Sequence, residues 1–370
     1  MILFPTRFIM KTAFYRIQFP DHPEYPDLLS VLWAMPDEGV RYTLQIVHGI
    51  SETKERYMPL IEFMTAHGAE VIIHDLPGHG HTAQSQDALG IMGDPGYDYR
   101  NLRLGIDGVY ASLHTRSCGN DESGAIIPIH DSDLECEVDI PRFLLGHSMG
   151  SLIAGLYTAR EAESIDGLIL TGLPFRHRSA SIGVFLMTLL EGIFGEDAKP
   201  KWINKVAFEA YNRRFTPEPQ SDGQFMWLSC DIDNRYAFLA DPLCNYNKSI
   251  STFTNLLRMV RDFYRPASWD MRCPDLPILL LAGEQDPVAG SEKKFSAGIS
   301  FLRDIGFRNV SGFMFRGFRH EILRDWCREE AFDYVLRFCE DNLEAAVCHL
   351  EQLRDEYKPQ FAADEEEQDG

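Results

Sequence analysis

Residues 144–150 read Leu-Leu-Gly-His-Ser-Met-Gly, an apolar run that ends on a serine with a glycine two positions to either side. A chain that leaves a β-strand and turns at once into a helix crowds the residues flanking the turn. Gly146 and Gly150 therefore have to lack side chains, while Ser148 at the apex takes a strained backbone angle that lifts its hydroxyl clear of the sheet. Residues 152–159, Leu-Ile-Ala-Gly-Leu-Tyr-Thr-Ala, carry the small and apolar side chains of a helix packed on a sheet, with its N-terminus aimed at the serine. Strand, turn and helix in this order require a sheet with helices against it, which constrains the fold more than any other stretch.

The same rhythm extends in both directions. Residues 42–47 and 70–74 are short apolar strands with a helix predicted over 57–67 between them, and a further helix follows at 102–113. Beyond the elbow come strands at 168–172, 277–283 and 310–315, with a helix over 293–305 and a closing helix over 325–350. Apolar strands alternating with helices predict an α/β fold with a mostly parallel central sheet flanked by helices. Residues 14–33, broken by Pro20, Pro23 and Pro26, are expected to form short antiparallel strands at its edge. Residues 118–137 are polar and acidic and read as an irregular surface insertion.

Between 173 and 269 helical periodicity replaces the alternation, which predicts an inserted helical cap. The chain then divides into a core with a first part at 1–172, the cap at 173–270, a second core part at 271–350 and an acidic tail at 351–370, whose last residues from 363 are expected to be disordered. The most apolar cap stretch, residues 182–194, is expected as a buried cap helix in preference to a surface that touches lipid.

Charge narrows the partners. Asp and Glu number 56 against 35 Lys and Arg, a net charge of −21 that argues against nucleic acid and against electrostatic docking on anionic membranes. Eight cysteines without C-x-x-C pairs or zinc-finger spacing suggest neither a metal site nor a disulfide framework, and point to a reducing, cytoplasmic setting. The first 13 residues hold Arg7 and Lys11 and lack the pattern of a secretory signal, and Met10 is an alternative start. No run reaches the roughly 20 apolar residues of a transmembrane helix.

A serine hydroxyl is a weak nucleophile near neutral pH, so it needs a base, and the base needs a carboxylate to hold its tautomer. Where an elbow of this kind carries such chemistry, the chain order is serine, acid, histidine. Asp286 follows the apolar run 278–281, at the carboxyl end of a strand where open α/β sheets place their sites, with Glu284 as a neighbouring rival acid. His320 follows the last strand and is the histidine in the expected order; His48 and His147 are read as shaping loops by hydrogen bonding. Two backbone N–H groups would hold a developing oxyanion, that of Met149 after the serine and that of Ile50 in the first strand loop.

The segments His48-Gly49-Ile50-Ser51-Glu52 with Arg56-Tyr57, Asp75-Leu76-Pro77-Gly78-His79-Gly80, Gly146-His147-Ser148-Met149-Gly150, Gly283-Glu284-Gln285-Asp286-Pro287 and Arg319-His320-Glu321 together resemble the monoacylglycerol lipase and lysophospholipase group of α/β-hydrolases. In the cap, Tyr211-Asn212-Arg213-Arg214-Phe215, Trp227-Leu228-Ser229 and Asp241-Pro242-Leu243-Cys244 resemble the bacterial lysophospholipase-like members. The resemblance spans about residues 14–343. It implies an α/β-hydrolase fold, a serine hydrolase without metal or cofactor, a cap over an acyl-binding pocket, and Ser148, Asp286 and His320 at the triad positions. Gly150 is followed by Ser151 where many relatives have a second glycine, and segment 118–137 is longer than usual.

The expected substrate is a carboxylic ester of a single-acyl-chain lipid, a lysophospholipid or a monoacylglycerol, with transient membrane contact through the cap. Three alternatives share the scaffold: an esterase or peptidase for small soluble substrates, an acyltransferase using the same triad, and a non-catalytic binding protein. A serine at the elbow argues against dehalogenases and epoxide hydrolases, which need a carboxylate there.

Overall fold

The computed structural model describes residues 8–18, 28–92, 102–114, 126–128, 140–216 and 223–368. Its strands are β1 (Phe8–Gln18), β2 (Leu28–Pro36), β3 (Tyr42–Val47), β4 (Ala69–His74), β5 (Ile126–Pro128), β6 (Arg142–His147), β7 (Gly167–Thr171), β8 (Ile278–Gly283) and β9 (Val310–Phe315). Among the described residues they form one sheet in the order β5-β1-β2-β4-β3-β6-β7-β8-β9. From β4 to β9 every neighbouring pair is parallel, while β2 runs antiparallel to both β1 and β4. The register pairs Val47 with Gly146, His147 with Thr171 and Gly283 with Phe315, so the carboxyl ends of β3, β6, β7, β8 and β9 share one edge.

Helices cover both faces: α1 (Met58–Ala66), α2 (Leu102–His114), α3 (Met149–Glu161), α8 (Glu292–Asp304) and α9 (Arg328–Gln368). Successive strand residues feed opposite layers, as the pleat dictates. On β6, Leu144 joins the apolar layer that contains Leu152 and Ile153 of α3, while Phe143 and Leu145 join the layer that contains Leu60 of α1 and Val335 of α9. Both faces being buried favours apolar residues in the central strands, and the polar exceptions Gln45, Glu70 and Arg142 are buried with hydrogen-bond partners.

Between β7 and β8 lie α4 (Ala180–Phe194), α5 (Lys201–Asn212), α6 (Ile232–Ala240) and α7 (Ile250–Phe263). Helix α7 roots them, since Met259, Val260 and Phe263 belong to the same apolar layer as α3. The expectation of a buried helix over 182–194 is overturned. Ile182, Phe185, Leu186, Leu189, Ile193 and Phe194 of α4 are exposed, with Ile193 at 71%. Apolar content predicts burial only where a neighbouring element supplies a face, and α4 carries more apolar surface than α7 covers.

Two further expectations change. Residues 126–128, inside the segment read as an irregular insertion, form β5 and pair in parallel with β1, Arg16 against Ile126; residues 118–125 and 129–137 lie outside the described residues, as do Pro20, Pro23 and Pro26. The tail expected to be disordered from 363 continues α9 to Gln368. Its Ala, Glu and Gln are strong helix formers, and extending an existing helix avoids the cost of nucleation.

Candidate active site

The turn between β6 and α3 is as tight as the glycine spacing requires. Ser148 sits at φ 53° and ψ −117°, and its N–H donates to the Thr171 carbonyl at 2.9 Å. A Cβ on Gly150 would lie 2.1 Å from the Val47 carbonyl oxygen, and one on Gly146 would lie 2.3 Å from that of Gly150. Both contacts are with backbone, which cannot step aside. Ser151, in place of a second glycine, is buried and donates its hydroxyl to the Ser148 carbonyl at 2.5 Å. The substitution therefore braces the turn.

The loops after β8 and β9 meet at Gly283, where a Cβ would fall 2.1 Å from the Arg319 carbonyl oxygen. That close approach sets Asp286 beside His320: the imidazole Nδ1 lies 2.8 Å from Asp286 Oδ2, and both residues are buried. The second carboxylate oxygen accepts from the Val288 N–H at 2.7 Å. With the carboxylate as acceptor, Nδ1 carries the proton and Nε2 presents a lone pair. Nε2 has no hydrogen-bond partner among the described residues. Burial pushes the His320 pKa down, but the Asp286 charge and hydrogen bond, aided by Glu321 and Glu52, outweigh it and leave the pKa raised. Glu284, the rival acid, is exposed and accepts from the Gly317 N–H at 2.9 Å.

Ser148 and His320 line one pocket with Gly49, Ile50, Phe208 and Trp227. Its cavity measures about 20 Å³. That is room for about one water. Phe208 stacks on Trp227 with centroids 5.9 Å apart, and Trp227 lies 5.2 Å from the His320 ring. Anything larger than a water enters only if Phe208 and Trp227 move. Ile50 lines the pocket, whereas Met149 is the first residue of α3, where a helix leaves its N–H without an intrahelical partner.

His147 and His48, the two histidines read as shaping loops, are held by hydrogen bonds. His147 Nδ1 lies 2.9 Å from Thr171 Oγ1, and burial lowers its pKa despite Glu52 nearby. His48 Nε2 accepts from the Leu76 N–H at 2.9 Å while Nδ1 lies 2.8 Å from the Gly49 carbonyl, which fixes a neutral tautomer. Beneath them, Glu52 accepts from the Gly49 N–H and the Tyr57 hydroxyl, both at 2.8 Å. Burial pushes the Glu52 pKa up, yet His147, Arg56 and these hydrogen bonds hold it far below the usual carboxylate range. Arg56 also pairs with Glu321 at 2.7 Å, tying the loop after β3 to the residue following His320. Sequence reasoning quoted Glu52, Arg56 and Glu321 without a role. The available signal was the i,i+4 spacing of Glu52 and Arg56, while Glu321 is 265 residues from Arg56.

Among the described residues no cluster of His, Cys, Asp and Glu could hold a metal ion, and no helix is long and apolar enough to cross a membrane. The family model described as serine aminopeptidase, S33, matches residues 38–109 and 123–326. Phospholipase YtpA of Bacillus subtilis (strain 168) is 29% identical over 317 residues, covering 83% of this chain and 98% of that protein. A thermostable carboxyl esterase from Bacillus coagulans has a similar structure, with a TM-score of 0.70 at 22% identity over 90% of this chain and 99% of that one. A soluble variant of the monoglyceride lipase from Saccharomyces cerevisiae gives a TM-score of 0.59 at 16% identity, over 85% and 92% of the two chains.

Proposed function

The chain belongs to the serine aminopeptidase S33 family, and we propose that it falls in the lysophospholipase and monoacylglycerol lipase group of α/β-hydrolases and cleaves the carboxylic ester of a single-acyl-chain lipid through an acyl-enzyme. In this reading Ser148 Oγ attacks the ester carbonyl and His320 Nε2 takes its proton. Asp286 holds the imidazole in the competent tautomer and stabilises the cation that forms. The N–H groups of Ile50 and Met149 receive the oxyanion, each worth about 2.7–4 kcal/mol in comparable sites. His320 then protonates the departing alcohol, and water, deprotonated by the same nitrogen, releases the fatty acid and frees Ser148.

The observation that carries the reading is the buried His320–Asp286 contact at 2.8 Å in a histidine that shares its pocket with a strained serine. The lipid part is supported by α4, whose exposed apolar side chains offer the cap a transient hold on a lipid aggregate. The test is release of one long-chain fatty acid from a lysophospholipid and from a monoacylglycerol, beside a short-chain ester, by wild type and Ser148→Ala. Cleavage of either lipid, with a loss of at least about a thousandfold in the variant, is the expected result. Turnover of the short ester alone would sink the lipid reading, and an active Ser148→Ala would sink the nucleophile.

A further inference from the structure

Beside the serine pocket, between α5 and the segment leading into α7, lies a cleft of about 630 Å³. Asn204, Asn212, Gln224 and Asn247 make its wall polar, and Lys201 and Lys205 add exposed cations. Phe208, Phe215, Phe225, Met226 and Tyr246 share that wall, so the cleft offers polar groups to a hydrated head group beside apolar surface. Lys248 lines both spaces.

Lys248 is built into this position. Its N–H donates to Asn204 Oδ1 at 2.8 Å and its carbonyl accepts from Asn204 Nδ2 at 3.0 Å, so one side chain clamps its backbone. The side chain is 4% exposed. Its ammonium lies 4.8 Å from the Phe208 ring centroid and 5.3 Å from that of Tyr246, and among the described residues no carboxylate or hydrogen-bond acceptor meets it. The other charged groups lining the serine pocket are matched: Glu52 and Glu321 both face Arg56 behind them, and His320 faces Asp286. Burial lowers the Lys248 pKa to about 7, with Cys244 opposing weakly. A buried cation without a counter-ion is costly, and an anion from outside would remove that cost.

We propose that Lys248 is the specificity-determining residue of the site, pairing with a phosphate on the alcohol side of the scissile ester, so that a lysophospholipid is preferred over a monoacylglycerol with the same acyl chain. This rests on the lipid-ester reading above. The test compares kcat/KM for 1-oleoyl-glycerol 3-phosphate and 1-oleoyl-glycerol in wild type, Lys248→Met and Lys248→Arg. The preference for the phosphate-bearing substrate should fall by about tenfold or more in Lys248→Met, mostly through KM, and return in Lys248→Arg. A preference that survives Lys248→Met, or a parallel fall on both substrates, overturns the assignment while leaving the lipid reading intact.

If neither lipid is cleaved, both fall together. Inorganic phosphate tested against short-ester hydrolysis separates the two sources of anion. Inhibition that depends on Lys248, with no change in lipid preference, marks a free-phosphate site and overturns the head-group assignment. Should Lys248→Met not fold, Lys205→Gln at the outer cleft must lower the preference by about threefold at low salt, and an unchanged value counts against the proposal.

Discussion

At Asp286 a single oxygen decides what His320 can do. Asp286 Oδ2 accepts the Nδ1 proton at 2.8 Å, which leaves Nε2 free to act as a base. An asparagine there presents an N–H to Nδ1, so the imidazole carries its proton on Nε2, where a base cannot have it. Asp286→Asn should therefore lower kcat by about ten-thousandfold with the fold intact. The pH profile should move as well. The base must be neutral, so kcat/KM rises with pH through the raised His320 pKa. Without the Asp286 charge, burial becomes the leading influence and the acid limb shifts to lower pH; a limb that stays in place would show that Asp286 does not set this pKa. Glu284 precedes Asp286 by two positions, and chain order alone admits either as the acid. Which of them turns inward depends on the meeting of two loops at Gly283, a tertiary matter that spacing does not encode.

Elements were legible in the sequence where a local rule governs them. The central strands declare themselves because both faces are buried, and the β6 to α3 turn does so because sterics leave glycine no substitute. The elbow makes a stability prediction. A methyl on Gly150 meets the Val47 and His48 carbonyl oxygens at 2.1 and 2.5 Å, whereas one on Gly192 of α4 meets nothing within 4 Å. Gly150→Ala should cost about 1–3 kcal/mol or prevent folding, while Gly192→Ala should be neutral or stabilising by up to about 1 kcal/mol. Thermal denaturation of the two variants checks the contrast, and equal midpoints would contradict it. What stayed hidden depends on partners distant in sequence. Arg56 finds Glu321 across 265 residues, and the Lys248 ammonium is notable only because nothing charged comes to meet it. The exposure of α4 was hidden for the same reason, since an apolar helix looks alike whether or not another element covers it.

Over the whole molecule, the net charge of −21 and the apolar face of α4 act against each other at a lipid surface. Repulsion from anionic lipid is long-ranged and decays over a Debye length of about 8 Å at physiological salt, whereas burial of α4 side chains needs contact and is insensitive to salt. Approach should therefore be favourable on neutral vesicles and weak on anionic ones at low ionic strength, recovering as salt rises. Phe185 and Ile193 are 62% and 71% exposed, and burying a whole side chain of either type is worth about 1.5–3 kcal/mol, so removing both should weaken the hold by at least about tenfold. The expected result for the double variant Phe185→Ser, Ile193→Ser is lower hydrolysis of vesicle-borne substrate with unchanged turnover of a soluble short-chain ester, because neither residue lines the serine pocket. An equal loss on both substrates would instead mean that α4 supports the cap over Ser148. A molecule so acidic also repels a phosphate-bearing substrate at long range. Selection of such a substrate then has to come from a local cation held inside the cap, and among the described residues lining the serine pocket Lys248 is the cation without a carboxylate partner.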